Sequence, residues 1–239
     1  MRNISAILFD KDGTLLDFAA TWGPATAAVL RELSAGDDRH LSALADMAGF
    51  DHAEQRFRPD SPVIAGDPDS FAPGWAAQLG VAYDAAFSDR VNRLFREESL
   101  VSLKAFEDVS AVLDHLAAAG LRIGLATNDA AANAHAHLER MGVADRFDFI
   151  AGYDSGHGAK PGPGMIRAFA EACDIETSAV AMVGDTLHDI EAARNAGALA
   201  IAIARDETAM RALEGHADIM IGELNALVEW VRVQHQAAG

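Results

Sequence analysis

The sequence predicts an α/β fold in which a doubly wound parallel sheet is interrupted, after its first strand, by a helical insert. Three observations carry this reading. From about residue 106 to the C-terminus, short apolar runs alternate with helical stretches, the pattern of successive βαβ units. The runs are apolar nearly throughout, as expected of parallel strands covered on both faces. The segment 17–100 has no comparable run and reads as helix and loop.

The elements follow in order. ISAILFD (4–10) is the first strand. The insert then offers helical patterns in TWGPATAAVLRELSA (21–35), HLSALADMAGF (40–50) and YDAAFSDRVNRLFREESL (83–100). Between the last two, Pro59, Pro62, Pro68 and Pro73 interrupt any helix, so RPDSPVIAGDPDSFAPG (58–74) reads as an ordered irregular loop. Strands follow at LRIGLAT (121–127), RFDFIAG (146–152), AVAMVGD (179–185), ALAIAIA (198–204) and ADIMI (217–221). The helical stretches VSAVLDHLAAAG, DAAANAHAHLERMG and HDIEAARNAGA each carry a glycine at or near the end that suits a helix C-terminus. About six strands with right-handed crossovers make a Rossmann-like sheet. The division expected is a core of residues 1–16 and 101–239 and an insert of 17–100.

Half of the 239 residues are hydrophobic and 23% are charged, the balance of a folded globular chain. The formal net charge of -17 repels polyanions, which argues against nucleic acid or an anionic membrane as partner. An anionic small molecule would need local positive charge from a metal ion, a lysine or backbone amides. The lone Cys173 cannot form an internal disulfide and reads as core. No leader pattern opens the chain and no apolar run approaches bilayer length, so a cytoplasmic location is expected.

In open α/β sheets, ligands bind outside the carboxyl ends of the strands. Polar clusters stand there: Asp10-Lys11-Asp12-Gly13-Thr14, Thr127-Asn128-Asp129, Ala159-Lys160-Pro161 and Asp185-Thr186-Leu187-His188-Asp189. Phosphoryl transfer needs a nucleophile, neutralisation of the phosphate oxygens and a proton for the leaving oxygen. Asp10 and Asp12, in one tight loop, can divide nucleophile and acid/base work. Asp185 adds a carboxylate of the kind magnesium binds while keeping several waters. Thr127 and Asn128 can donate hydrogen bonds to phosphate oxygens, and Lys160 offers a point charge. His135, His137 and His188 read as helix-face residues, and Trp22, Trp75 and the insert's phenylalanines as packing. Arg56 and Arg58 are the insert's candidates for a substrate carboxylate or second phosphate.

FDKDGTLLD, ATN (126–128), AKPGP (159–163) and VGDTLHDI (183–190) together resemble, in order and spacing, the four motifs of the haloacid dehalogenase superfamily of phosphohydrolases. The resemblance covers nearly the whole chain. It implies a phosphatase with Asp10 as nucleophile and Asp12 as the acid that protonates the leaving alcohol and then activates water. It implies Mg2+ held by Asp10, Asp185 and the backbone carbonyl of Asp12, with Asp189 as ligand or support, and Thr127, Asn128 and Lys160 holding the phosphoryl group. The insert is similar to the cap of the phosphoglycolate phosphatase-like branch, which makes a small phosphorylated metabolite, phosphoglycolate first, the expected substrate. Asp12 speaks against a dehalogenase, and an insert without lysine against the phosphonate-cleaving relatives. A sugar-phosphate mutase is the alternative; a non-catalytic binding protein of the same fold is opposed by the intact Asp10, Asp12, Lys160 and Asp185. Lys11 and Phe18 depart from the family pattern, and neither is expected to touch the reacting groups.

Overall fold

The computed structural model describes residues 3–64, 66 and 68–238. Strand β1 (Ala6–Phe9) leads into α1 (Phe18–Ser34), α2 (Asp38–Met47), the two-residue strands β2 (Phe50–Asp51) and β3 (Arg56–Phe57), α3 (Ala72–Leu79) and α4 (Ala85–Ser102). The chain continues as α5 (Val109–Ala118), β4 (Arg122–Ala126), α6 (Ala131–Met141), β5 (Phe149–Ala151), α7 (Gly164–Ala172) and β6 (Val180–Gly184). It ends with α8 (Leu187–Ala196), β7 (Leu199–Ile203), α9 (Glu207–Leu213), β8 (Ile219–Ile221) and α10 (Asn225–Ala238). Among the described residues no helix is long and apolar enough to cross a membrane.

The six long-range strands form one parallel sheet in the order β5-β4-β1-β6-β7-β8. From β1 the chain works outward through β4 and β5, then returns to the other side of β1 as β6. The order therefore reverses at β1, and the carboxyl ends of β1, β4 and β6 lie side by side at the position where such sheets bind ligands.

Alternation along each strand sorts the core into two layers. Ile7, Phe9, Ile123, Leu125, Val183 and Ile201 pack with Val112, Leu116, Leu138 and Leu227 beneath α5, α6 and α10. Ala6, Leu8, Met182, Ala200 and Ala202 face Ile166, Phe169, Ile190 and Ala193 of α7 and α8. The alanine floor of β7 on that second face leaves room for the helices to sit close.

The insert has an apolar cluster of its own, built on Trp22, Leu30, Leu44, Phe71, Trp75 and Phe95. Helices α1 and α4 of the insert begin at side-chain caps: Asp17 Oδ1 accepts from the Ala20 amide at 3.0 Å and Asp84 Oδ1 from the Phe87 amide at 3.0 Å. Two features differ from the sequence expectation. A small antiparallel hairpin, β2 and β3, stands in a segment read as strand-free. The loop expected over 58–74 ends early, because a 3-10 turn at Pro68–Ser70 leads into α3. Pro73 falls in the first turn of α3, where a missing N–H leaves no helical bond unmade, so it marks a helix start rather than a break.

Candidate active site

Asp10 continues the β1 ladder by donating its amide to Val183 O at 2.8 Å, which delivers its side chain just past the strand end. The loop then turns sharply, with Leu15 N and Leu16 N both donating to Lys11 O at 2.8 and 3.0 Å. Gly13 makes the turn possible. Its φ is +81°, and a Cβ there would stand 1.9 Å from Asp185 Oδ2, so a side chain at this position would displace the β6 carboxylate. Thr14 Oγ1 donates to Asp185 Oδ1 at 3.3 Å and ties the two loops together.

Lys160 occupies the centre of one half of the site. Its buried Nζ donates to Asp10 Oδ1, to Asp189 Oδ1 at 2.6 Å and to Ala126 O at 2.9 Å. Asn128 clamps the backbone of Lys160 from both sides, Nδ2 donating to its carbonyl at 3.0 Å and Oδ1 accepting from its amide at 2.8 Å. Asp189 takes two further hydrogen bonds on Oδ2, from Thr186 N at 3.0 Å and Thr186 Oγ1 at 2.7 Å, and so also caps α8. Thr127, 1% exposed, accepts from Asp129 N at 3.0 Å through its hydroxyl oxygen, which leaves the hydroxyl hydrogen to donate elsewhere.

Asp12 is held by a different set. Trp22 Nε1 donates to Oδ1 at 2.5 Å, and Lys11 Nζ lies 2.7 Å from Oδ2. The expectation that Lys11 stays away from the reacting groups is therefore corrected. Fully buried, it bridges Asp12 and Asp129, 3.0 Å away, lies 5.0 Å from the centroid of the Trp22 ring, and meets His137 Nδ1 at 3.0 Å. An ammonium has only donors, so His137 Nδ1 must be the acceptor and Nε2 carries the proton, which it gives to Ser99 Oγ at 2.7 Å. Burial, with the Lys11 ammonium alongside, holds His137 down to about 2, so the ring is neutral.

The charges do not balance locally. Asp10, Asp12, Asp129, Asp185 and Asp189 face only two ammonium groups, Lys11 and Lys160. Burial above all, opposed by Lys160 and reinforced by Asp189 and Asp12, pushes Asp10 up to about 7. Burial and the neighbouring Asp10 and Asp189 raise Asp185 well above the ordinary carboxylate range. Lys160 is raised as well, burial being outweighed by Asp10 and Asp189. One oxygen from each of Asp10, Asp185 and Asp189 falls within 4.8 Å of the others. A compact, buried, all-oxygen group with surplus negative charge fits a small hard divalent cation.

Asp10, Asp12, Thr127, Asn128, Lys160 and Asp185 line one cavity of about 160 Å3 between core and insert. Phe18, Trp22, Phe71 and Phe95 of the insert line it too, so these four do more than pack; Trp75 is fully buried in the insert cluster. Arg56 and Arg58 are not among its described lining residues. Arg56 is largely exposed and paired with Glu54 at 3.5 Å, and Arg58 bonds to Asp46 through its carboxylate at 3.3 Å and its carbonyl at 2.8 Å. The sequence reading missed Lys11, Trp22, His137 and Ser99 as one connected group. A lysine set between two aspartates directly after a buried strand was the available signal.

The family model for haloacid dehalogenase-like hydrolases matches residues 4–197. A phosphoglycolate phosphatase of Rhodospirillum rubrum is 29% identical over 195 residues, covering 80% of this chain and 76% of its own length. An N-acetylmuramic acid 6-phosphate phosphatase of Pseudomonas aeruginosa is 28% identical over 204 residues, 84% of this chain and 81% of its own. Among solved structures, a β-phosphoglucomutase of Clostridium difficile has a TM-score of 0.69 at 17% identity and covers 98% of both chains. At that identity it speaks for the fold alone.

Proposed function

Since the chain belongs to the haloacid dehalogenase-like hydrolases and is a phosphatase, we propose that it hydrolyses small phosphate monoesters through a phosphoryl group carried transiently on Asp10. The observation that carries this reading is the placing of Asp10. It stands at a strand end on the cavity wall, bonded to a buried ammonium and within a few ångströms of a second acid, Asp185.

In the proposed reaction an Asp10 carboxylate oxygen attacks phosphorus and the bond to the leaving oxygen breaks. Asp12 supplies the proton that the departing alcohol needs. A water then attacks the phosphorus of the aspartyl phosphate, Asp12 takes its proton, and inorganic phosphate leaves with the Asp10 carboxylate restored. Acid/base assistance of this kind is worth roughly 10²–10⁴-fold. Lys160 and the Thr127 hydroxyl neutralise and orient the phosphoryl oxygens.

Asp10, Asp185 and the Asp12 carbonyl would hold magnesium, with Asp189 as support, since both of its oxygens already serve Lys160 and Thr186. Bound there, the ion supplies positive charge against the phosphoryl oxygens. Residues 17–100 act as a cap that brings aromatic walls over the core's acids and keeps bulk water from them.

The test is hydrolysis of a chromogenic aryl phosphate by the wild type and Asp10→Asn, with magnesium and with chelator, together with acid-quench trapping of a phosphorylated Asp10. Metal-dependent turnover lost in Asp10→Asn is expected. Equal rates in the two proteins, or full activity under chelation, would sink the mechanism.

A further inference from the structure

From the walls of the cavity, and resting on the phosphatase reading above, we infer that the leaving group is a neutral, mainly apolar alcohol. A leaving group that bears its own carboxylate, as in phosphoglycolate, is disfavoured. The insert lines the cavity with Phe18, Trp22, Ile64, Pro68, Phe71 and Phe95, with Val63 and Gly66 alongside. Among the described residues the insert's polar side chains on this lining are Trp22, whose N–H is given to Asp12, and Asn92.

Cations are scarce there. The one ammonium on the described lining is Lys160, whose three hydrogens go to Asp10, Asp189 and Ala126 O. His188, half-buried on α8, is a single imidazole facing a lining that includes Asp10, Asp12, Asp129 and Asp185. The arginines of α4, Arg90, Arg93 and Arg96, line a separate groove together with Asp89 and Asp154. The carboxylate of phosphoglycolate is one methylene from the ester oxygen, so its counter-charge would have to stand inside this cavity. A second anion buried without one is strongly disfavoured.

Asn92 sharpens the preference. Its Nδ2 donates to Tyr153 Oη at 3.3 Å, and its buried Oδ1 has no hydrogen-bond partner. The one polar side chain that α4 brings to this wall supplies no cation for a carboxylate. It is too little for a sugar, whose several hydroxyls would meet aromatic faces instead.

The experiment compares kcat/KM for benzyl phosphate, cyclohexylmethyl phosphate, glucose 6-phosphate and phosphoglycolate with magnesium present. All four esters release primary alcohols. Benzyl or cyclohexylmethyl phosphate is expected to exceed phosphoglycolate by at least about tenfold, the scale set by differences of a few groups in an apolar pocket. Ile64→Arg, which puts a cation on the wall, is expected to move the ratio about tenfold or more toward phosphoglycolate. Phosphoglycolate or glucose 6-phosphate equalling the apolar esters overturns the inference and leaves the phosphatase reading intact. A folded Ile64→Arg with an unchanged ratio overturns it too. If none of the four turns over while the aryl phosphate does, the inference is overturned and the phosphatase reading stands; if the aryl phosphate is not hydrolysed either, the phosphatase reading fails and this inference falls with it. Should Ile64→Arg not fold, the wild-type ranking decides.

Discussion

Replacing Lys11 with Met is the perturbation whose outcome the structure specifies most fully. The wild-type ammonium is 0% exposed and lies between Asp12 and Asp129, whose side chains are 17% and 10% exposed. Methionine keeps the aliphatic volume and removes the charge. Two carboxylates then face each other with no cation, a situation that costs about 3–5 kcal/mol when one partner of a buried pair is removed. Asp129 retains its bonds from Ala130 N at 2.7 Å and Asn133 Nδ2 at 2.8 Å, which places the loss near the lower end of that range. His137 Nδ1 also loses its donor, adding about 1 kcal/mol. The expected destabilisation is therefore about 4 kcal/mol.

Urea unfolding at about pH 7.5 with chelator present, so that metal binding does not enter, measures it. Adding Asp129→Asn should restore roughly half, because one of the two opposed charges is gone. The deficit of Lys11→Met should also shrink toward acid pH. Burial holds Asp129 above its ordinary value despite Lys11, so protonation favours the folded state there. A loss under about 1 kcal/mol, or a double variant weaker than Lys11→Met, would refute the assignment of Lys11 as the bridge between the two acids.

Asp10, at about 7, and Asp185, raised in the same direction, bind protons more readily folded than unfolded, so their contribution to stability is full in acid and lost as pH rises through about 7. Millimolar magnesium should accordingly raise the melting temperature more at about pH 8 than at about pH 5.5, and Asp185→Asn should remove most of that gain, as thermal-shift scans will show. Ser99→Ala strips the acceptor from His137 Nε2 and should cost about 1–3 kcal/mol in urea unfolding. Gly13→Ala adds a Cβ 1.9 Å from Asp185 Oδ2 and should lower kcat by at least about 100-fold in steady-state assays. Asp12→Asn should depress turnover of alkyl phosphates by roughly 10²–10⁴-fold and of activated aryl phosphates far less, since a good leaving group does not need the proton.

The parts legible in the sequence were those determined locally. Each sheet strand announced itself as an apolar run, and the acids and Lys160 were legible because each cluster follows a strand end or opens a helix. What could not be read depends on partners distant in the chain. Lys11 and His137 are 126 residues apart, and nothing near either says that they meet. Pro73 was read as a helix breaker because a proline at the first turn and a proline in a loop look alike until the following residues are seen to coil. Arg56 and Arg58 have the right chemistry for an anion, but Arg56, on β3, pairs with Glu54, and Arg58, just past that strand, pairs with Asp46.

The two buried lysines divide the site in a way that bears on how the insert matters. Lys160 gathers Asp10, Asp189 and Ala126 O, all from the core, so the half around Asp10, the proposed nucleophile, is complete without any residue of 17–100. Lys11 gathers Asp12 and Asp129, and that half is finished from the insert: Trp22 of α1 holds the other oxygen of Asp12, and Ser99 of α4 holds His137. A shift of α1 or α4 relative to the sheet would thus disturb the acid while leaving the nucleophile placed. Coupling of this kind acts through a continuous chain of hydrogen bonds and ion pairs, not through distance. The cavity proposed to take the leaving group is lined by residues of the same α1 and α4, Trp22 and Phe95. On the proposed mechanism, the leaving alcohol's fit to the insert and the readiness of Asp12 to give it a proton are therefore set by the same contacts, which would make the alcohol, more than the phosphate, the part of the substrate that this chain discriminates.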